Sequence, residues 1–218
     1  MRVTIVPVTP FQQNASVLVC EATGKAAVVD PGGDMERIEQ VLADEGAELE
    51  KVFLTHGHVD HASAAAELAR RHDVPVEGPQ REDAFWLEML PEQATQFGLG
   101  PAEVVEPDRW LEQGDEVRFG EERLAVLHTP GHTPGHVVFH HQEGGLVIVG
   151  EDLFQGSIGR TDFPRGDFDT LISCIRERLL PLGDEVRFLP GHGPGSTLGE
   201  ERRTNPFLVD PERFRGML

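Results

Sequence analysis

The order of elements in this 218-residue chain predicts a four-layer α/β/β/α sandwich, two sheets packed face to face with helices outside. Three observations carry that reading. Apolar strand-like runs and amphipathic helical runs follow one another as strands, helices, strands, helix, strand, helix. The chain divides into two broadly similar halves, and each places metal-competent side chains at the end of a strand. The length suits one sizeable hydrophobic core, so residues 1–218 are read as a single domain.

Short strands occupy the first thirty residues: Val3 to Val8, Ser16 to Cys20, and Lys25 to Val29 ending on the turn Asp30-Pro31-Gly32-Gly33. Antiparallel pairing of these is expected. Asp34 can cap a helix in which Met35, Ile38, Val41 and Leu42 recur at helical spacing, and Gly46 ends it. The strand Lys51 to Thr55 runs straight into a histidine-rich segment. Beyond it, Ala62 to His72 reads as helix, Val74 to Val76 as a short strand, and Ala84 to Phe97 as a helix interrupted by Pro91. Alternation returns at Asp115 to Phe119, Arg123 to Leu127, His136 to His140 and Leu146 to Val149, each bounded by glycine or proline. A helix over Asp169 to Leu179, a strand over Glu185 to Leu189 and a helix near Leu198 to Arg203 complete the order.

The 38 acidic and 19 basic residues give a formal charge of −19, spread along the chain. No stretch supplies the basic face that phosphate binding needs, so no nucleic-acid partner is expected. The start, Met1-Arg2-Val3-Thr4-Ile5-Val6-Pro7, resembles neither a signal peptide nor a membrane anchor, and a cytoplasmic location without a membrane partner is expected. Cys20 and Cys174 are far apart in apolar contexts, where buried free thiols are the usual occupants.

The run Thr55-His56-Gly57-His58-Val59-Asp60-His61 packs four metal-competent side chains into six positions immediately after an apolar strand. Imidazole nitrogen and carboxylate oxygen suit zinc, iron and manganese alike, and Gly57 is expected to let the backbone turn sharply between the first two histidines. Thr129-Pro130-Gly131-His132-Thr133-Pro134-Gly135-His136 and Pro190-Gly191-His192-Gly193-Pro194 again present histidine from rigid turns at strand ends. One site assembled from three distant loops accounts for all of them. His128, His140 and His141 are read as strand histidines outside it.

This arrangement resembles the metallo-β-lactamase superfamily, whose signature is His-x-His-x-Asp-His followed by a lone histidine, a bridging acid and a final histidine; here it covers residues 56 to 192. The run Gly150-Glu151-Asp152-Leu153-Phe154-Gln155-Gly156-Ser157-Ile158-Gly159-Arg160-Thr161-Asp162-Phe163-Pro164 is similar to that of small glyoxalase II-like, hydroxyacylglutathione hydrolase-like enzymes. The resemblance implies the sandwich fold and two divalent metal ions, zinc first, with iron or manganese also suiting the donors. It implies one ion on His56, His58 and His132 and a second on Asp60, His61 and His192. Register places the bridging acid at Glu151, with Asp152 the alternative, and parity along an extended segment lets only one of the two reach the metals. Water on such a metal is acidified to a pKa of about 7, so hydroxide is available, and Asp60 is the residue implied to orient it. His136 or Thr133 is expected to support the ligands.

The implied reaction is hydrolysis of a small-molecule thioester, S-D-lactoylglutathione or a related hydroxyacyl-glutathione, by a metal-bound hydroxide. Larger members of that group carry a separate C-terminal helical domain for glutathione; no such domain is expected here, and the chain has no tyrosine. Recognition of a substrate carboxylate then falls to Arg160, an ion pair with Asp162 within the loop being the other reading. Two further functions stand beside hydrolysis. A persulfide dioxygenase would use one iron with two histidines and one acid, and its relatives share a similar Gly159-to-Phe163 run. An inactive, metal-stabilised interaction domain is the other, motivated by glutamate at position 151.

Overall fold

The computed structural model describes residues 1–215. Two sheets form the centre. The first takes the order β1-β2-β3-β4-β5, from Arg2–Val8 (β1), Gln13–Val19 (β2), Lys25–Val29 (β3), Glu48–Phe53 (β4) and Val76–Glu77 (β5). Its first three strands pair antiparallel, as expected, and β3, β4 and β5 run parallel. The helices Met35–Asp44 (α1) and Ala65–His72 (α3) make the crossovers that parallel pairing requires. A single turn, Val59–Ala62 (α2), precedes α3, and Ala84–Glu88 (α4) and Leu90–Phe97 (α5) follow β5.

The second sheet contains Glu116–Phe119 (β6), Glu122–His128 (β7), Val137–His141 (β8) and Leu146–Gly150 (β9) as an antiparallel meander. A small hairpin, Leu153–Phe154 (β10) with Ser157–Ile158 (β11), stands apart. The helix Phe168–Cys174 (α6), continued by a wider turn over Ile175–Leu179, crosses back so that Arg187–Pro190 (β12) lies parallel to β9. Ser196–Thr197 (β13) closes that edge, and Leu198–Thr204 (α7) and Pro206–Val209 (α8) pack behind it. Among the described residues no helix is long and apolar enough to cross a membrane.

Side-chain parity produces the four layers. Along β4, Val52 and the following Leu54 point to the α1/α3 side, and Phe53 points into the space between sheets. Along β8 and β9, Val138, Val147 and Val149 face α6, whereas Val137, Phe139 and Ile148 meet Phe53 from the opposite sheet. Strands covered on both faces read as nearly continuous apolar runs, which is why Leu146 to Val149 shows little alternation. The inter-sheet layer holds Phe53, Phe119 and Phe139, with Phe53 5.5 Å from Phe139 and 6.4 Å from Phe119 between ring centroids. Cys20 and Cys174 are buried free thiols.

Several elements differ from expectation for identifiable reasons. The helix read over Ala62 to His72 is broken before Ala65, because the Ala64 N–H donates to the Pro31 carbonyl at 3.0 Å instead of continuing the helix. Pro91 starts α5 rather than interrupting a longer helix, taking a first-turn position where its missing N–H costs nothing. The strand expected from Glu185 begins only at Arg187, since the Val186 N–H closes a turn on Gly183. The β10–β11 hairpin, β13 and α8 were not anticipated, each being two to four residues long.

Candidate metal centre

Four strands deliver the site. β4, β7, β9 and β12 all end at the same edge of the molecule, and the loops after them carry residues 56–61, 129–136, 151–152 and 191–192. Pro190 is the register partner of Gly150, so the last two loops start side by side, joined by the Gly191 N–H to Gly150 carbonyl bond of 2.7 Å. The Val137 N–H donates to the Thr55 carbonyl at 2.8 Å and ties the first sheet to the second there.

Two groups of donors converge. His58 Nδ1 lies 3.1 Å from His56 Nε2 and 3.0 Å from His132 Nε2, so three imidazole nitrogens face one point. His192 Nε2 lies 3.0 Å from Asp60 Oδ2, and His61 Nε2 lies 3.8 Å from the same oxygen. Within each group the candidate ligand atoms are all within 4.8 Å of one another, and either set could hold a divalent cation. Glu151 Oε1 is 3.5 Å from His61 Nε2 and 3.7 Å from His192 Nε2. Asp152 turns the other way and is fully buried with Oδ1 3.2 Å from His136 Nδ1. The segment is not the extended one that strand parity assumes, because Gly150 is left-handed and the Asp152 N–H closes a turn on the Val149 carbonyl at 3.0 Å. His61 Nε2 and Glu151 Oε1 are buried without a hydrogen-bond partner among the described residues, an expensive state that a cation between them would relieve.

The outer nitrogen of four of the five rings is held by an acceptor, which fixes the tautomer and leaves the inner nitrogen free for a metal. His58 differs, its outer Nε2 being buried without a hydrogen-bond partner among the described residues. His132 Nδ1 donates to the Arg160 carbonyl at 2.7 Å and His192 Nδ1 to the Phe11 carbonyl at 3.1 Å. His61 Nδ1 donates to Asp30 Oδ2 at 3.0 Å. His56 Nδ1 donates to Thr55 Oγ1 at 3.0 Å, and that hydroxyl donates in turn to Asp30 Oδ2 at 2.6 Å. His136, stacked on His56, accepts the Glu151 N–H at 3.1 Å through Nε2.

Charge separates the two groups. Burial and the neighbouring imidazoles push His56 and His58 well below the usual histidine range; burial also lowers His132, against the charge of Glu151. Burial works against ionising Asp60, but His61, His192 and His58 hold its carboxyl below the usual range. Burial likewise opposes a charged His61 and His192. The Asp60 charge, Asp30 and Glu151 nevertheless raise His61 well above its usual value, and the Asp60 hydrogen bond and Glu151 raise His192.

The remaining sequence candidates fall in different places. Arg160 is exposed, pairs with Asp162 through Nε–Oδ1 at 2.9 Å and Nη2–Oδ2 at 2.7 Å, and stacks over Phe163, whose ring packs on His58 and His132. Gly57 takes no left-handed conformation; it is glycine because a Cβ there would sit 2.6 Å from Trp86 Cβ. His128 and His141 bond the Pro134 carbonyl and Glu122, away from the metal groups. Sequence reasoning missed Asp30 and Asp83. Asp30 had a local signal, an acid at the end of a buried strand ahead of Pro31-Gly32-Gly33; Asp83 had none.

Residues 8–192 match the metallo-beta-lactamase superfamily. Hydroxyacylglutathione hydrolase GloC of Haemophilus influenzae is 47% identical over 209 residues, covering 95% of this chain and 98% of that protein. Among solved structures, TTHA1623 in a di-iron-bound form is 40% identical with a TM-score of 0.85, covering 94% of this chain and all of the other. BLEG-1 B3 metallo-beta-lactamase is 33% identical with a TM-score of 0.87, covering 95% of this chain and 100% of its own. With the sandwich, the four converging loops and these likenesses together, the chain belongs to the metallo-beta-lactamase superfamily and is one of its metal-dependent hydrolases.

Proposed function

We propose that the chain is a dinuclear thioesterase acting on hydroxyacyl-glutathione thioesters, S-D-lactoylglutathione first among them. The observation that carries this reading is the pair of adjoining donor groups, His56/His58/His132 and Asp60/His61/His192, with the Glu151 carboxylate beside the second and near enough to His132 to act on its charge. His56, His58 and His132 would hold one ion, Asp60, His61 and His192 the other, and Glu151 would bridge them. Zinc is the leading metal, and the di-iron form of a similar structure supports iron as the runner-up. When bound, the ions acidify water and polarise the thioester carbonyl.

The chain's own residues do the rest. Asp60, held ionised, accepts a hydrogen bond from the attacking water and aims its lone pair at the carbonyl carbon. Arg160 lies at the rim of the site, where leaving Asp162 would let its guanidinium take a substrate carboxylate. The 47% identity to a hydroxyacylglutathione hydrolase over almost the whole length of both proteins supports the choice of thioester. The filled second group favours hydrolysis over a one-iron dioxygenase, which needs only two histidines and an acid. Free thiol release from S-D-lactoylglutathione, followed with a thiol reagent, tests this; oxygen uptake with glutathione persulfide and no thioester cleavage would overturn it.

A further inference from the structure

Asp83 ends a short turn, Arg81–Asp83, between β5 and α4, and lies outside both donor groups. Its side chain is fully buried, and among the described residues no lysine or arginine pairs with it. A buried carboxylate without a cation is costly unless donors surround it. Three do. Oδ2 accepts the Gly57 N–H at 3.0 Å and the Thr133 hydroxyl at 2.7 Å, and Oδ1 accepts the Gly135 N–H at 2.6 Å. Burial pushes its pKa up to about 6 against those three bonds, so at neutral pH all three donors still point at a charge.

Those donors have a pattern. Gly57 sits between His56 and His58, and Thr133 and Gly135 follow His132, so one carboxylate ties together the two loops that supply the whole three-histidine group. The close fit extends to the backbone. A Cβ on Gly135 would lie 2.4 Å from the Gln80 carbonyl oxygen and 2.6 Å from the Asp83 nitrogen, and the Gln80 N–H donates to the Gly135 carbonyl at 2.9 Å. Three residues on, the Trp86 ring packs edge-on against His58 at 4.5 Å. In the other group Asp30 holds His61 and the Phe11 carbonyl holds His192, neither through Asp83, although Asp30 also reaches His56 through the Thr55 hydroxyl.

We propose that Asp83 is a positioning residue that sets the spacing of His56, His58 and His132 and thereby the affinity of one ion and not its neighbour. This rests on the ligand assignment proposed above. Asp83 holds loop backbone and Thr133 and not a ligand ring. The weakening of about 10- to 100-fold typical of losing an outer partner of a metal ligand therefore sets the scale expected for the three-histidine group, both of whose loops it joins.

The test is zinc binding by the full chain in competition with a chromophoric chelator. His192→Ala and His58→Ala should each leave one zinc per chain; if neither does, the ligand assignment fails, independently of Asp83. In the His192→Ala background, Asp83→Asn should weaken the remaining zinc by about 10- to 100-fold. In the His58→Ala background it should change the remaining zinc by no more than about threefold. No change in either background overturns the proposal, and equal weakening in both, the mark of a merely structural residue, overturns it too. Should Asp83→Asn fail to fold, Thr133→Val removes one of the three donors and is judged by the same two backgrounds.

Discussion

Acid should empty the Asp60–His61–His192 group before the His56–His58–His132 group. Against the opposing effect of burial, His61 is raised well above its ordinary 6.5 by Asp60, Asp30 and Glu151, and His192 is raised by Asp60 and Glu151. A cation entering there must displace the protons both rings carry. Below the raised values each proton costs about tenfold in apparent affinity per pH unit, so two histidines give at most about a hundredfold per unit. His56, His58 and His132 are lowered, chiefly by burial, and are already neutral at pH 7, so their ion should bind with almost no proton release. Stability of the metal-free chain follows the opposite sign. The raised pair contributes stability that is fully present below about 6.5 and lost as pH rises through the folded values. The lowered trio costs stability as pH falls below about 6.5, where the unfolded rings take protons first. These groups together place maximum metal-free stability near pH 6.5. Zinc titration calorimetry in buffers of different ionisation heat, at about pH 7 and about pH 8, counts the protons released per ion. Equal release for both ions, or loss of both at a single midpoint on acidification, would refute this reasoning.

Three further outcomes are expected. Glu151→Ala should lower the rate by about a hundredfold or more, as loss of a charge-stabilising group does, whereas Asp152→Ala should cost less because its carboxyl faces His136; the reverse order in steady-state rates would reassign the bridge. Arg160→Ala should raise KM with little change in kcat if the guanidinium takes a substrate carboxylate, and an unchanged KM would leave it as the Asp162 loop clamp. Phe53→Ala, which empties the fully buried centre of the inter-sheet layer, should destabilise by about 3–5 kcal/mol in denaturant unfolding, and a loss below about 1 kcal/mol would contradict that layer.

The parts of this molecule that were legible in the sequence are the parts written locally. His56, His58, Asp60 and His61 lie within six positions, and His132 and His192 sit in Pro/Gly turns. Glu151 and Asp152 point to opposite sides, but from a turn after left-handed Gly150 and not from the strand parity read in the sequence. The strands could be read because their apolar runs are bounded by turns; their ends moved by up to a few residues, as at Glu185, where a turn on Gly183 delays the strand. What was not legible depends on partners far along the chain. Asp83 meets Gly57, Thr133 and Gly135 across 26, 50 and 52 residues, and nothing around Asp83 announces them. Asp30 reads as a turn residue until β3 and β4 lie parallel and bring it to Thr55, 25 residues on. The helix break before Ala65 has the same origin, a Pro31 carbonyl supplied by the first sheet.

The most direct test of the account is metal content per chain measured beside the rate of S-D-lactoylglutathione hydrolysis, for the wild type, His58→Ala and Asp60→Asn. Two ions per wild-type chain, about one in each variant, and rates that fall with the metal are expected. Full thioesterase rates in both variants, or a wild-type chain that carries two ions and leaves the thioester intact, would contradict it.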